Sequence, residues 1–136
     1  MGYSTVEDLK KLIDEQTLTA LTDDEGSGSV NIERVNEAID IADREIDAYL
    51  SGKFSVPFAE PPEIIKNISA QMAIYHLFSR RTEDYPKVWA DKYENCLKLL
   101  EKIQSGEILL GDNSLSKSSV KYISKTRYFT FENLKN

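Results

Sequence analysis

The chain has 136 residues, 40% of them hydrophobic and 29% charged, and a formal net charge of −6 at pH 7. This length suffices for one domain that buries a single core without disulfides or metal ions. With one cysteine and one histidine, the chain cannot form an intrachain disulfide and lacks the residues for triad chemistry or a His/Cys zinc site. The acidic balance opposes non-specific nucleic-acid binding, which depends on Lys and Arg neutralising phosphates, and we expect no sequence-specific nucleic-acid partner.

Membrane and export signals are missing from the sequence pattern. No window approaches the roughly 18 consecutive apolar residues of a membrane span. The first ten residues, MGYSTVEDLK, contain no apolar run of the kind found in export signals. We therefore expect a soluble protein in a reducing, intracellular setting, with no membrane partner.

Helical periodicity begins close to the first residue. Ser4 and Glu7 match the capping-box pattern S-x-x-E, and apolar residues follow at positions 6, 9, 12 and 13. The pattern predicts a first helix over residues 5–15. Residues 17–22, TLTALT, can add a short further turn of helix.

The next segment, residues 22–33 (TDDEGSGSVNIE), is similar to a calcium-binding EF-hand loop. With Asp23 at loop position 1, Gly28 falls at position 6, and further oxygen-bearing side chains occupy ligand positions: Glu25, Ser27, Ser29 and Asn31. Position 12, which needs a bidentate Glu, is Arg34. The arginine favours a turn without metal or cofactor between two helices. The alternative is a calcium-responsive helical binding module that uses residues 23–34.

A second helix is predicted after this loop, with Asn31 as its N-cap. Its apolar residues form one stripe at spacings of three and four: Ile32, Val35, Ile39, Ala42, Ile46 and Tyr49 or Leu50. The opposite face is anionic and carries Glu33, Glu37, Asp40, Asp43, Arg44 and Asp47. We expect this face to be solvated, and a docking surface for a basic partner is the alternative.

The third predicted helix, IIKNISAQMAIYHLFSRR, covers residues 64–81. A connector precedes it, in which Phe54, Val56 and Phe58 alternate, and Pro61-Pro62 suits a helix start. The helix is apolar on more than one face, which predicts the most buried element, and His76 within it is expected in the core or at an interface. Arg80 and Arg81 close the helix. They either complement the helix dipole or contact an anion or partner.

A fourth helix is predicted from Pro86 to Gly106, with its stripe at Trp89, Tyr93, Cys96 or Leu97, Leu100 and Ile103. Cys96 is expected to be a buried small hydrophobe. Together these patterns predict an all-α, four-helix connector-like bundle over residues 1–111, followed by a linker and an extended, partly β-like C-terminal tail over residues 112–136.

The predicted tail is basic and aromatic. Residues 61–136 hold 12 bases and 9 acids, against 5 bases and 14 acids in residues 1–60. Aromatic side chains left in water would be costly, so we expect the tail to bury against this chain or a neighbouring copy. The candidate oligomer or partner contacts are Arg80, Arg81, Tyr122, Lys125, Arg127, Tyr128, Phe129 and Phe131.

Motifs of common enzymes are missing. The sequence has no Gly-rich phosphate loop followed by Lys-Ser or Lys-Thr, no H-E-x-x-H, no paired-cysteine motif and no G-x-S-x-G elbow. Its many carboxylates fall on predicted solvent faces at ordinary helical spacing, so no pair stands out for acid–base work. We expect no enzymatic activity.

The order of several segments resembles the small Mu-like prophage proteins placed among the head-tail joining (connector or adaptor) proteins of tailed phages. These segments are LTALTDDEGSGSVNIERV, EAIDIADREIDAYLSGKF, VPFAEPPEIIKNISAQMAIYHLFSRR, KYENCLKLLEKIQSGEILL and TRYFTFENL. Where other members carry Asp, this chain has Glu25 and Ser27, which again favours a turn over a calcium site.

This resemblance implies a structural helical adaptor that forms a homo-oligomeric ring between the portal of a capsid and the tail. Its partners would be the phage portal and the head-closure or tail proteins. It would reside in the bacterial host cytoplasm during assembly and at the virion head-tail junction afterwards. No catalytic residues follow from the resemblance.

Overall fold

The computed structural model describes residues 2–81, except the side chain of Arg81, and residues 86–110. In these ranges the fold is all-α, as predicted, with five helices and no strand. The helices are α1 (Val6–Lys10), α2 (Glu15–Thr22), α3 (Ile32–Leu50), α4 (Glu63–Arg81) and α5 (Lys87–Ser105). The predicted tail, residues 112–136, and the domain boundary before it lie outside the described residues.

The prediction of a single first helix over residues 5–15 is wrong. Thr5 rather than Ser4 is the N-cap of α1, and its side chain forms a reciprocal capping box with Asp8. Ser4 cannot act as the N-cap, because its side chain is buried and its hydroxyl forms a hydrogen bond with the Ser69 hydroxyl. The helix ends at Lys10, and Asp14 starts α2 by accepting the backbone N–H of Thr17 at 2.8 Å.

Helix α3 matches its predicted start. The Asn31 side chain accepts the backbone N–H of Arg34 at 3.3 Å, and the predicted stripe is buried from Val35 to Leu50. Two residues depart from the predicted pattern. Ile32, assigned to the apolar stripe, is 49% exposed, and Asp43, assigned to the solvated face, is only 7% exposed.

Helix α4 is the central element, as predicted, because it packs against all four other helices. Its fully buried large side chains are Ile65, Ile68, Met72, Ile74 and Leu77. Helices α3 and α4 run antiparallel, since Arg80 at the end of α4 lies beside Asp24, shortly before α3 begins. The connector between them inserts Phe54 and Phe58 into the core, as the alternation predicted.

Helix α5 runs antiparallel to α4 and closes the bundle. Trp89, Cys96, Leu100 and Ile103 are buried, which confirms the predicted stripe. The helix ends at Gly106, whose φ of +90° is a left-handed conformation that glycine adopts without a steric penalty. Gln104 donates to the Tyr49 carbonyl oxygen at 2.7 Å, so the end of α5 lies beside the end of α3.

Candidate functional site

The loop between α2 and α3 is folded around the side chain of Asp23. Its carboxylate accepts the backbone N–H groups of Ser27 at 2.8 Å and Gly28 at 2.6 Å, and also the Ser27 hydroxyl at 3.0 Å. These bonds, that from Gly28 foremost, lower the pKa of Asp23 because they stabilise its charged form. Gly26 and Gly28 have φ of +74° and +84°, which permits the tight turn.

A second carboxylate, Asp24, joins this loop to both long helices beside it. Its Oδ2 accepts Arg80 Nη2 at 2.7 Å and Arg34 Nε at 3.3 Å. Arg80 also donates to the Leu21 carbonyl oxygen at 3.0 Å, which supports the end of α2. Arg34, at the loop position where an EF-hand needs Glu, makes a further ion pair with Glu37 at 3.2 Å. We call Asp24, Arg34 and Arg80 the loop cluster.

The loop cluster places one predicted contact residue, Arg80, in an intramolecular role. Its side chain is 33% exposed, so it binds Asp24 at the surface rather than in the core. No side-chain placement is described for Arg81, and Tyr122, Lys125, Arg127, Tyr128, Phe129 and Phe131 lie outside the described ranges. Their proposed role as oligomer or partner contacts stays a prediction.

A buried polar cluster attaches the N-terminal segment to α3 and α4. Asp43 accepts the Tyr3 backbone N–H at 2.8 Å and the Ser69 hydroxyl at 2.7 Å. Ser69 lies 2.8 Å from the Ser4 hydroxyl. Because the Ser69 hydrogen points to Asp43, Ser4 donates to Ser69. Burial raises the pKa of Asp43, since removing the carboxylate from water disfavours its charged form.

Tyr3 extends this attachment to the connector before α4. Its hydroxyl donates to Asp47 at 2.6 Å and accepts the Phe58 backbone N–H at 3.0 Å. Its ring packs edge-on against Phe58, with centroids 5.8 Å apart. Burial, and then the bond to Asp47, raise the pKa of Tyr3. One aromatic side chain thus joins three segments that are distant in sequence.

Sequence reasoning missed this buried cluster, although one signal was present. Asp43 lies four residues after Ile39 and three before Ile46, so it falls on the apolar stripe as well as beside the acidic face. A carboxylate on a stripe suggests a buried polar partner. Ser4 and Ser69 carry no comparable signal, because small polar residues are common on helices and in turns.

An open groove of about 710 Å³ lies between the N-terminal segment and the first half of α3. We call it the α1/α3 groove. One wall is formed by Gly2 and residues 4–7, and the other by residues of α3 between Ile32 and Asp40. Gly2 is required there, because a Cβ would collide with the Ile39 side chain and lie 3.0 Å from the Ser4 carbonyl oxygen.

His76, predicted for the core or an interface, is half-buried in a polar contact between three helices. Its Nε2 lies 2.8 Å from Glu45 Oε1, and the Tyr93 hydroxyl donates to Glu45 Oε2 at 2.9 Å. Tyr93 also stacks on Tyr75, with ring centroids 4.2 Å apart. These contacts connect α3, α4 and α5 to one another.

Further observations limit the chemistry of the described residues. Burial raises the pKa of Cys96 to about 11, so its thiol is a poor nucleophile at neutral pH, in keeping with the predicted structural role. Residues 2–81 and 86–110 contain no group of three or more His, Cys, Asp or Glu side chains arranged to hold a metal ion. In that part of the chain, no helix is both long and apolar enough to span a membrane.

The described residues form a small all-α protein with an open groove. Its polar clusters make contacts between helices and loops of the same chain. The chain belongs to the family described as Bacteriophage Mu, Gp36, whose model matches residues 3–122. It is therefore a Mu-like phage protein, as the order of its segments predicted.

One curated relative is the Mu-like prophage FluMu protein gp36 of Haemophilus influenzae (strain ATCC 51907 / DSM 11121 / KW20 / Rd). The two sequences are 32% identical over 83 residues, which is 61% of this chain and 57% of the relative. The chain thus matches little more than half the length of this relative.

Proposed function

We propose that this protein is a structural head-tail connector, an adaptor that forms a ring between the portal and the tail of a phage or prophage particle. The observation that carries the proposal is the family match over residues 3–122, which includes four of the five ordered segments similar to head-tail joining proteins, all except TRYFTFENL at residues 126–134. In this role the protein turns over no substrate and needs no cofactor. It acts in the bacterial host cytoplasm during assembly and remains at the junction in the virion.

The contacts within the fold support such a role. An adaptor bears load between two larger assemblies, so its helices must keep their relative positions. The buried cluster at Asp43, the contact of Glu45 with His76 and Tyr93, and the loop cluster each connect elements that are distant in sequence. The partners that we propose are further copies of this chain, the portal protein, and the head-closure or tail proteins.

The charge of the described surface also supports a protein partner. The first half of α3 presents Glu33, Glu37 and Asp40 to the α1/α3 groove. Such an anionic surface steers basic protein segments towards it and repels nucleic acid. A connector that surrounds packaged DNA, without binding a sequence, is consistent with this charge.

Size-exclusion chromatography with light scattering tests the proposal directly. The full chain is measured alone and then mixed with the portal protein encoded by the same element. We expect a stable complex whose mass corresponds to a ring of copies on the portal, whether or not the chain forms a ring alone. A mixture in which both proteins elute unchanged at micromolar concentration would contradict the proposal.

Gene deletion and antibody labelling test whether the protein acts at the head-tail junction of the particle. Deletion of its gene in an inducible prophage is expected to give DNA-filled heads and free tails that do not join, and expression of the full chain restores joining. Antibody labelling of intact particles is expected at the junction. Normal particle yield after deletion, or label confined to the head shell, would refute a connector role.

A further inference from the structure

The α1/α3 groove leaves part of its apolar lining open to solvent. Ile32 at its edge is 49% exposed and Val6 is partly exposed, whereas Ile39 beneath them is buried. Covering exposed apolar surface of this kind with a partner is favourable, because it removes that surface from water. The groove therefore offers a gain in free energy to an apolar segment that fits between its walls.

The groove is also anionic at its rim. The charged residues that line it are all acids: Glu7, Glu33, Glu37 and Asp40. Three of these carboxylates form ion pairs with cations that do not line the groove. Lys10 lies 3.9 Å from Glu7, Arg34 lies 3.2 Å from Glu37, and Arg44 lies 2.6 Å from Asp40. For Glu33, no ion pair occurs within residues 2–81 and 86–110. The rim thus keeps net negative charge for a basic partner.

One segment of this chain has the complementary chemistry. Residues 120–131 contain the aromatic residues Tyr122, Tyr128, Phe129 and Phe131 together with the cations Lys121, Lys125 and Arg127, and no acid. Aromatic anchors on an apolar floor with cations at an acidic rim are the usual arrangement of a specific protein interface.

The position of the groove suits a head-to-tail contact between copies of the chain. The groove lies along the first half of α3, whereas the described chain ends at Leu110, just after α5 ends beside Tyr49 near the opposite end of α3. Helix α3 is about 28 Å long, so the two features lie at opposite ends of the subunit. A donor at one end and a receptor at the other give a head-to-tail contact, which closes into a ring when repeated by rotation.

We propose that the α1/α3 groove receives residues 120–131 of a second copy of this chain. This inference rests on the proposed function, because the ring supplies the adjoining copy. Residues 111–119 reach about 30 Å when extended, which is enough to cross to a subunit in contact. The same reach spans α3 of its own subunit, so the ring contact is what selects the second copy, and the cross-linking experiment below distinguishes the two cases.

Binding of a labelled peptide to the full chain tests the chemistry of the groove. A fluorescent peptide of residues 118–133 is titrated with the full-length protein, and anisotropy is followed. We expect saturable binding that weakens as salt rises, because ions screen the rim charges. The absence of saturable binding, or binding that the groove variants below leave unchanged, would overturn the proposal.

The groove variant is Glu33→Lys with Glu37→Lys, and we expect it to weaken peptide binding at least about tenfold through like-charge repulsion. The matched control is Glu94→Lys with Glu101→Lys, which makes the same change of net charge on exposed positions of α5. The control should shift the affinity by less than about twofold. Thermal melting of both variants checks that each remains folded. Equal losses in both would show only non-specific attraction and overturn the proposal.

Cross-linking identifies the donor copy. Tyr128 is replaced by benzoylphenylalanine, and light and isotopically heavy full-length chains are mixed and assembled with the portal protein. We expect cross-links between residue 128 and residues 32–40 that join light to heavy chains. Cross-links only within one chain, only to the portal, or only elsewhere on the neighbour would each overturn the inference.

These outcomes separate the inference from the proposed function. Mixed-isotope cross-links at the groove in a protein that is not found at the head-tail junction would support the inference and refute the connector role. Junction labelling together with cross-links elsewhere would do the opposite.

Discussion

Two carboxylate clusters in this protein have similar connectivity and opposite surroundings. In the buried cluster, Asp43 binds Tyr3 and Ser69 within the core. In the loop cluster, Asp24 binds Arg34 and Arg80 at the surface, with side chains about one third exposed. Water can replace the partners of Asp24, but it cannot reach Asp43 without disrupting the packing. From this comparison we expect solvent access, more than the number of bonds, to decide how strongly a polar cluster affects stability.

The largest effect is expected in the apolar core beside the buried cluster. Ile68→Ala or Met72→Ala should each lower the free energy of unfolding by roughly 2 to 5 kcal/mol, because both side chains are fully buried and leave a cavity. Urea denaturation followed by circular dichroism measures this loss. Glu37→Ala, at an exposed position, is the control and should have little effect. Equal small losses at all three positions would show that α4 is not the core element.

The second largest loss of stability is expected when the buried carboxylate of Asp43 is removed. Asp43→Ala should destabilise the protein by about 1 to 3 kcal/mol, because the Tyr3 N–H and the Ser69 hydroxyl lose their acceptor. Asp43→Asn should cost less than Asp43→Ala, since its amide can accept from Tyr3 and donate to Ser69. Denaturant unfolding of both variants distinguishes the hydrogen bonds from the charge. An Asn variant as unstable as the Ala variant would show that the charge dominates.

The two regions should also differ in pH dependence. The raised pKa of Asp43 means that its ionisation opposes folding, so its contribution to stability falls as pH rises from its ordinary pKa through the raised one. The lowered pKa of Asp23 acts in the opposite direction: its contribution is complete above its ordinary pKa and is lost as pH falls through the lowered value.

Melting temperatures of the wild type, Asp43→Asn and Asp23→Asn across acidic to neutral pH test both signs. Relative to wild type, Asp43→Asn should gain stability as pH rises, and Asp23→Asn should lose it. Parallel curves for all three proteins would contradict these assignments.

A smaller effect is expected in the loop cluster. Arg80→Met should lower the free energy of unfolding by roughly 0.2 to 1 kcal/mol, and less at high salt, because exposed ion pairs are weak and screened. Lys87→Met, which removes another surface pair, is a matched control. Thermal melting at low and high salt measures both. A loss for Arg80→Met as large as for Asp43→Ala would remove the contrast between the two regions.

The smallest expected effect is that of calcium. Arg34 occupies the loop position that needs a bidentate Glu, and the Asp23 carboxylate is already bonded within the loop. Millimolar Ca²⁺ should therefore leave the melting temperature unchanged. A rise with Ca²⁺ that Asp23→Ala abolishes would instead support a calcium-responsive module.

The extents of α3 and α5 could be predicted from the sequence because their signals are local. Asn31 caps the start of α3, and Gly106 ends α5. Within each of these two helices, the apolar residues recur at helical spacing. The start of the first helix was predicted one residue too early, because Ser4 and Thr5 are equally good caps by type and only burial of Ser4 against Ser69 decides between them. Its end was predicted too late, because Asp14 was not recognised as the cap of a second helix.

The candidate contact residues show the same difference between what a local sequence pattern predicts and what depends on tertiary packing. From the sequence, Arg80 was predicted either to complement the helix dipole or to contact an anion or partner. Its position beside Asp24 depends on how the α2–α3 loop meets the end of α4. The two walls of the α1/α3 groove are 25 to 38 positions apart in sequence, so no local pattern connects them.

By itself, the sequence determined the helical class, the central position of α4 and the phage family, because periodicity, caps and segment order are properties of the linear chain. The tertiary structure decided which polar side chains are buried and where a groove remains open. Those features arise where helix faces from distant parts of the chain meet, and the free energy of each contact depends on the water that the packing excludes.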